Sequence, residues 1–496
     1  MIPNPTKEAT MKNEPLSIIV IGASGDLALR KIMPALFSLY CQKLFPDTFH
    51  IVGFARSDMG DEAWREQVMK FLTCRYVAGE TCEEQMAAFL KCCTYMSGDY
   101  GSADSFHRLH DHLRHVDPQG RENRIFYMSI PPFLFLDVAH AIADAGLVHR
   151  DEPSGWSRVV VEKPFGSDRE SSDTLTDGLS KVFRENQTYR IDHYLGKEVI
   201  QNLMVLRFAN LIFDPIWNRN CIHSVRISWM EELGLEGRSG YFDAYGIIRD
   251  VMQNHLLQML ALVAMEQPIG LEARNVRDEK VKALRCIHPV TLDDMVVGQY
   301  SAGMHDGTRH VGYLEEPGVP ADSITPTYAS AVLQVRNRRW DGVPFLIRAG
   351  KALNASMTEI RIRFREVPGN IFAKVAGHLR SNELVIRVQP DAGISFRIVN
   401  KVPGLRIALD ESNLDLSYES AFSGTIPDAY ESLLIDVIRG DESLFIRADE
   451  LAAAWDIFTP ALHDLERNHI KPRSYAFGGT GPEAADALAA RHGITW

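Results

Sequence analysis

The stretch "LSIIVIGASGDLALRK", residues 16–31, decides the fold. Leu16 to Ile21 are apolar apart from Ser17 and rich in β-branched residues, the pattern of a strand buried on both faces. Gly22 and Gly25 form a turn, and helix-forming residues follow to about Leu44. Glycine lets the chain turn sharply and bring its backbone close to a pyrophosphate, whose charge suits a helix N-terminus. The spacing is G-x-x-G-x-x-A, neither G-x-G-x-x-G nor a G-x-x-x-x-G-K-[ST] phosphate loop. An ordinary strand–turn–helix is the competing reading. The position near the start of the chain favours a nucleotide.

Outward from this turn, "FHIVGFARS" (49–57) reads as a second buried strand. An NAD site wants an acid at its end, to hold the ribose 2′-hydroxyl. Here the strand ends in Arg56 and Ser57, and a guanidinium pairs with a 2′-phosphate, which favours NADP. "RIFYMSIPP" (124–132) and "SRVVVEKPFG" (157–166) are two further strands, and helical patterns cover Asp61–Cys74 and Thr81–Cys92. Strands alternating with helices predict a parallel, doubly wound sheet up to about residue 190.

Beyond Asp192 the texture changes. A helix over roughly Gly246–Met265 is apolar on nearly every side, and strands then follow one another: "SVRISWMEE", "ASAVLQVRN", "TEIRIRFRE", "NELVIRVQP" and "ISFRIVN". The expected fold is α/β plus α+β. An N-terminal Rossmann-like dinucleotide-binding domain, 1–191, precedes a larger α+β domain, 192–496, with a mainly antiparallel sheet. The charge-rich segment Gly303–Ser323 is expected to be a surface loop.

Composition narrows the function. The 496 residues are 45% hydrophobic and 24% charged, ordinary for a soluble globular protein, and no apolar run reaches the length of a membrane span. A net charge of -12 supplies no basic field for nucleic acid. An anionic ligand must therefore be held by local Lys and Arg. Seven cysteines, with no C-x-x-C, argue against a secreted disulfide scaffold and a structural zinc site. The opening "MIPNPTKEATMKNEP" lacks the pattern of a signal or transit peptide, although a removed presequence would leave no trace.

"RIDHYLGKE" (190–198) crowds cations, an acid, a histidine and a tyrosine into nine positions. Asp192 can orient an imidazole, Lys197 can hold a phosphate as a point charge, and His193 and Tyr194 add donors. In "GYFDAYGIIRDVMQNHLLQMLALVAM" (240–265), Asp250 opens an apolar helix that contains His255. Alone, His255 reads more readily as a satisfied core histidine. The Asp, Gln, Asn and His gathered towards one end tip it towards a site.

These blocks resemble glucose-6-phosphate dehydrogenase. GASGDLA (22–28), EKPFG (162–166), RIDHYLGKE (190–198) and RDVMQNHLLQ (249–258) occur in that family's order, and "WDGVPFLIRAGKALN" (340–354) and "IPDAYE" (426–431) extend the resemblance over nearly the whole chain. It implies oxidation of β-D-glucose 6-phosphate at C1 with NADP+. His255 would be the base and Asp192 its orienting acid, with no metal required. Lys163, His193, Tyr194, Lys197, Glu231, Asp250, Lys351 and Gln389 would bind substrate. Gly22, Ala23, Ser24, Gly25, Asp26, Leu27, Ala28, Leu29, Arg56 and Lys163 would bind NADP, and Pro164 would be a hinge proline that can be cis. The family also implies a homo-oligomer, dimer or tetramer.

Two departures stand out. Ser356 and Met357 lie where many relatives carry a basic residue, so one substrate contact is expected to be missing and affinity lower; Thr480 lies where an arginine is common, which argues against the second, structural NADP site of animal members despite Arg348, Arg361, Arg387 and Arg397. Around "LTCRYVAGETCEEQMAAFLKCC" the chain resembles the plastid, redox-regulated branch. Thr81 and Glu84 have capping-box spacing, which would put Cys82 in a first helical turn. The resemblance implies a reversible Cys74–Cys82 disulfide, reduced by thioredoxin with loss of activity; two free thiols are the alternative. Vicinal Cys92 and Cys93 read as helix packing. Location in the plastid stroma follows from this branch, with the cytoplasm as alternative. Competing functions are a non-catalytic NADP(H)-responsive regulatory subunit and a dehydrogenase of another hexose phosphate.

Overall fold

Residues 14–77, 79–117, 123–149, 155–237, 239–373, 380–422 and 424–494 are described by the structure, a computed structural model; the opening segment, residues 1–13, lies outside them. Six strands form the first sheet: β1 (Leu16–Ile21), β2 (Phe49–Ala55), β3 (Cys93–Ser97), β4 (Asn123–Met128), β5 (Ser157–Val161) and β6 (Thr188–Arg190). Their order is β3-β2-β1-β4-β5-β6 and every pairing is parallel. This is the doubly wound order whose crevice opens where the order reverses, between β1 and β4. All six residues of β1 are buried, as its apolar run requires.

The turn after β1 explains its glycine. Gly22 has φ of 90°, and a Cβ there would lie 2.1 Å from the Ser129 carbonyl oxygen beyond β4. Gly25 N–H donates to the Gly22 carbonyl at 2.9 Å and closes the turn. A π-helical turn, Ala28–Ile32, then runs into the α-helix Met33–Cys41, three residues short of the expected Leu44. The helices expected at 61–74 and 81–92 are Asp61–Met69 and Gly79–Lys91. The second begins before Thr81, so Thr81 is a helical residue and cannot be the N-cap, which needs non-helical backbone. Cys93 opens β3 instead of closing a helix, because its side chain is needed in the core.

The remaining strands are β7 (Ile222–Met230), β8 (Met295–Ser301), β9 (Gly303–His305), β10 (Thr308–His310), β11 (Tyr328–Gln334), β12 (Pro344–Gly350), β13 (Met357–Phe364), β14 (Glu383–Gln389), β15 (Gly393–Lys401), β16 (Leu409–Ser417) and β17 (Arg473–Ala476). Nine of them form one sheet in the order β16-β15-β14-β13-β7-β12-β11-β8-β17. It is antiparallel except where β12 pairs with β7 and β17 with β8. The segment expected to be a surface loop contains the β9–β10 hairpin and the fully buried Tyr313, whose hydroxyl donates to Asp243 at 2.7 Å. Burying the ring removes a large apolar surface from water while its hydroxyl keeps a hydrogen-bond partner.

One buried helix carries His255, the expected base. Gly246, with φ of 66° and ψ of 170°, breaks the preceding turn; a π-helical stretch, Ile248–Leu256, then continues as α-helix Leu257–Ala264. Every residue from Val251 to Ala264 is buried, as an all-round apolar helix must be. Its last carbonyls face no water and need donors. Arg207 donates to Leu262 and Met265, both at 2.6 Å; Trp217 donates to Val263 at 2.9 Å and Trp340 to Ala264 at 2.8 Å. A cation at a helix C-terminus also meets the negative end of the dipole.

The distant helix Ala429–Arg439 buries Tyr430, Leu433, Leu434 and Val437 in the same core as β1. Asp428 caps its start by accepting from the Tyr430 N–H at 2.9 Å, and Gly440 in the left-handed region ends it. Chain from the C-terminal half thus forms one wall beside the first sheet.

Gly22→Ala combines an unfavourable φ with a backbone collision. It should destabilise the protein by about 2–3 kcal/mol and abolish NADP+ binding, read by thermal denaturation and by quenching titration. A soluble variant with unchanged melting and affinity would contradict this account of the turn.

Candidate active site

β6 delivers Arg190 to the sheet's edge, and the chain then turns through Asp192 to Lys197 before helix Glu198–Phe208. That turn faces the buried helix. His255 Nδ1 and Asp192 Oδ1 are 2.5 Å apart, although 63 residues separate them in sequence. Both residues are 2% exposed. Asp192 Oδ1 also accepts from the Tyr194 N–H at 3.0 Å, whereas Oδ2 is buried with no hydrogen-bond partner in the described structure.

The electrostatics fit a base and its orienter. Burial raises the Asp192 pKa, but the adjacent His255 and the Tyr194 N–H outweigh it and bring it down to about 2. Burial lowers the His255 pKa below its ordinary value, and Asp192 only partly opposes this. Near neutrality the pair is a carboxylate beside a neutral imidazole. Donation from Nδ1–H to Asp192 leaves the lone pair on Nε2. Asp192, His193 and His255 also bring ligand-type atoms within 4.8 Å of one another, but the Asp192–His255 hydrogen bond already occupies the facing atoms.

The other expected residues surround this pair. The rings of His193 and Tyr194 lie 4.8 and 4.5 Å from that of His255. The Tyr194 hydroxyl is buried, accepts from Trp229 at 2.7 Å and meets Thr358 at 3.3 Å, so it braces the floor. Lys197 Nζ donates to Gln389 at 2.8 Å. Burial lowers the Lys197 pKa; Asp428 opposes that and Lys31 adds to it. Lys163, in front of a cis Pro164, donates from Nζ to the Asp250 carbonyl at 2.7 Å and its carboxylate at 3.0 Å. Lys351 pairs with Glu231, and its charge helps hold the Asp250 pKa down.

The nucleotide residues form a second group across a cleft of about 840 Å³. Asp26 and Leu27 line one side; His193, Lys197 and Gln389 line the other. Ser24 and Ser57 hydroxyls lie 3.0 Å apart, tying the glycine turn to the end of β2, where Arg56 is exposed and stacks 5.5 Å above the Tyr100 ring. Ala23, Ala28 and Leu29 are buried and pack instead of facing the cleft.

Sequence reasoning missed Arg30 and Lys31, which line the cleft, although Lys31 falls one helical turn after Leu27. It also missed Glu162. Burial pushes that carboxyl up to about 7, against hydrogen bonds from Tyr127 and Tyr430 and the charge of Lys163. Ser356 accepts from the Glu232 N–H at 3.0 Å, supporting the strand end beside Glu231. Arg361 and Arg397 both reach Glu383, so acids already meet their charge. Cys74 and Cys82 form a disulfide with Cα atoms 5.9 Å apart.

Comparison with known proteins places the chain. Residues 19–202 match the NAD binding domain of glucose-6-phosphate dehydrogenase and residues 204–496 match its C-terminal domain. The chain is 51% identical to the chloroplastic glucose-6-phosphate 1-dehydrogenase of Spinacia oleracea, over 98% of this chain and 85% of that one. It is 46% identical to the cytoplasmic enzyme 5 of Arabidopsis thaliana, over 97% and 93%. A solved glucose-6-phosphate dehydrogenase in complex with glucose-6-phosphate superposes with a TM-score of 0.90 at 40% identity, covering 98% of this chain and 99% of that one. The Mycobacterium avium enzyme does so at 0.82 and 32%, covering 98% of each. With the two domain models matching nearly the whole chain, and Asp192 of the first part against His255 of the second, the chain belongs to the glucose-6-phosphate dehydrogenase family.

Proposed function

We propose that the chain oxidises β-D-glucose 6-phosphate to 6-phospho-D-glucono-1,5-lactone with reduction of NADP+ to NADPH. The observation that carries this is the buried Asp192–His255 pair packed against His193, which lines a cleft together with Lys197, Asp26 and Leu27. NADP+ supplies the hydride acceptor. The Gly22 turn, which leaves no room for a Cβ, fits close backbone approach by its pyrophosphate, and Arg56 fits its 2′-phosphate.

His255 Nε2 takes the proton of the C1 hydroxyl, and Asp192 stabilises the resulting imidazolium. Lys197 and His193 hold the substrate phosphate; Lys163, Asp250, Glu231, Lys351 and Gln389 orient the sugar, with Tyr194 bracing the floor. Like its chloroplastic relatives, the protein works in the plastid stroma, and the Cys74–Cys82 disulfide is a reversible switch reduced by thioredoxin. It acts as a homo-oligomer, a dimer or tetramer.

His255→Asn and Asp192→Asn should each lower kcat on the order of 10²–10⁴-fold with little change in KM, followed by reduced-nicotinamide absorbance. Robust turnover in His255→Asn would remove that residue as base. In ¹⁵N-histidine NMR, the His255 midpoint should fall below 6.5, so the base is neutral throughout the neutral range. A midpoint above 6.5 would reverse the assigned balance between burial and Asp192. Arg56→Ala should lower kcat/KM for NADP+ by about 10–100-fold and leave that for NAD+ little changed. Equal losses with both nucleotides would place Arg56 elsewhere.

A further inference from the structure

The disulfide loop and the active-site cleft meet through one carboxylate. Arg75 and Tyr76 follow Cys74 directly. Arg75 donates to Glu431 Oε1 at 2.8 Å and to the Ile426 carbonyl at 2.6 Å, so a single guanidinium spans both ends of the segment "IPDAYE". The Tyr76 hydroxyl donates to the other oxygen, Glu431 Oε2, at 2.6 Å. The Glu431 side chain is only 3% exposed. A buried carboxylate depends on its partners, and losing one leaves an uncompensated charge.

The segment so gripped is a wall of the cleft. Asp428, Ala429 and Tyr430 line it together with Lys31 and Lys197. The wall neighbours His193, Gly196 and Lys197. Gly196 leaves no room for a Cβ, which would lie 2.4 Å from the Ala429 carbonyl oxygen. The Tyr430 ring lies parallel to that of His193, with centroids 6.3 Å apart. Asp428 acts electrostatically on Lys197.

We propose that Glu431, held by Arg75 and Tyr76, is the positioning residue through which the Cys74–Cys82 disulfide controls the substrate phosphate grip. This rests on the reading of that disulfide as a reversible switch. In the switching step a dithiol reductant transfers two electrons and two protons. The Cys74–Cys82 S–S bond breaks to two thiols, and the reductant closes to its own disulfide. Opening the ring from 74 to 82 restores the conformational freedom of Arg75 and Tyr76. Their hold on Glu431 weakens, the carboxylate moves towards water, and the wall leaves His193, Gly196 and Lys197. The consequence is weaker substrate binding, with the Asp192–His255 pair left in place.

The test measures KM for glucose 6-phosphate and kcat, with and without dithiothreitol, in wild type, Cys74→Ser, Arg75→Ala, Glu431→Gln and Tyr76→Phe. Reduction of wild type should raise KM on the order of tenfold and change kcat by less than about twofold. Arg75→Ala and Glu431→Gln should show a raised KM while still oxidised, and little further response to reductant. Tyr76→Phe loses one hydroxyl only, so it decides the matter if the charge variants fold poorly; its reductant response should be markedly smaller than that of wild type. A response abolished in Cys74→Ser but fully kept in the other three would overturn the linkage while the disulfide reading stands. A response fully kept in Cys74→Ser would overturn both.

Discussion

The carboxylate of Asp192 sits out of water, and the surrounding fold is arranged to keep it ionised there. An isolated buried carboxylate would take up a proton. This one does not, because the His255 imidazole and the Tyr194 N–H meet the same oxygen. The constraint reaches far along the chain. Asp192 must follow β6 at the sheet's edge, and His255 must stand on a helix whose axial position is fixed. The donors at that helix's far end, Arg207, Trp217 and Trp340, supply the second requirement. Trp340 belongs to the "WDGVPFLIRAGKALN" block, so a tryptophan remote in sequence helps secure the register of the helix that holds His255.

The same burial resolves a conflict of charge. The chain carries a net charge of -12, which repels an anionic sugar phosphate and an anionic nucleotide at long range. Within the cleft that excess is absent, because Arg30, Lys31 and Lys197 line it alongside Asp26, Glu198 and Asp428, so an anion there meets cations at contact range in balanced surroundings. Long-range repulsion between exposed charges is screened within about 10 Å at ordinary salt, whereas a partly buried lysine acts on a ligand in contact with much less screening. Lys31 disfavours the charge on Lys197.

Much of this was legible in the residues, and the failures have physical causes. β1 and its turn could be read because a strand buried on both faces must be apolar throughout and because only glycine fits beside Ser129. β14 and β13 show β-branched alternation. β16, "LDESNLDLS", does not, since it is the outer strand and most of its residues are exposed, so burial imposes no pattern. β6 has three residues, too few for periodicity. Tyr313 hid in a charged segment because a single buried ring leaves no repeat. His255 was ambiguous within its own helix and became decisive only with Asp192, a partner 63 positions away that local pattern cannot supply. The contributions of Lys31 and Glu162 depend on which faces meet across the cleft, and that is tertiary information.

The wall formed by Asp428 to Tyr430 shows why regulation can be separated from chemistry in this architecture. The proton-transfer pair is enclosed by the buried helix and the floor at Tyr194, Trp229 and Thr358, where side chains are close-packed and any displacement is expensive. The phosphate grip is different. One side of it is a segment contributed by the C-terminal half, capped by its own Asp428 and held from outside by Arg75 and Tyr76. A change at the surface loop that loosens this hold alters how firmly an anion is bound without touching the His255 tautomer. A device acting on Asp192 directly would have to disturb a fully buried carboxylate–imidazole hydrogen bond and would endanger the fold. Control through the wall requires only that one buried carboxylate, Glu431, lose its partners.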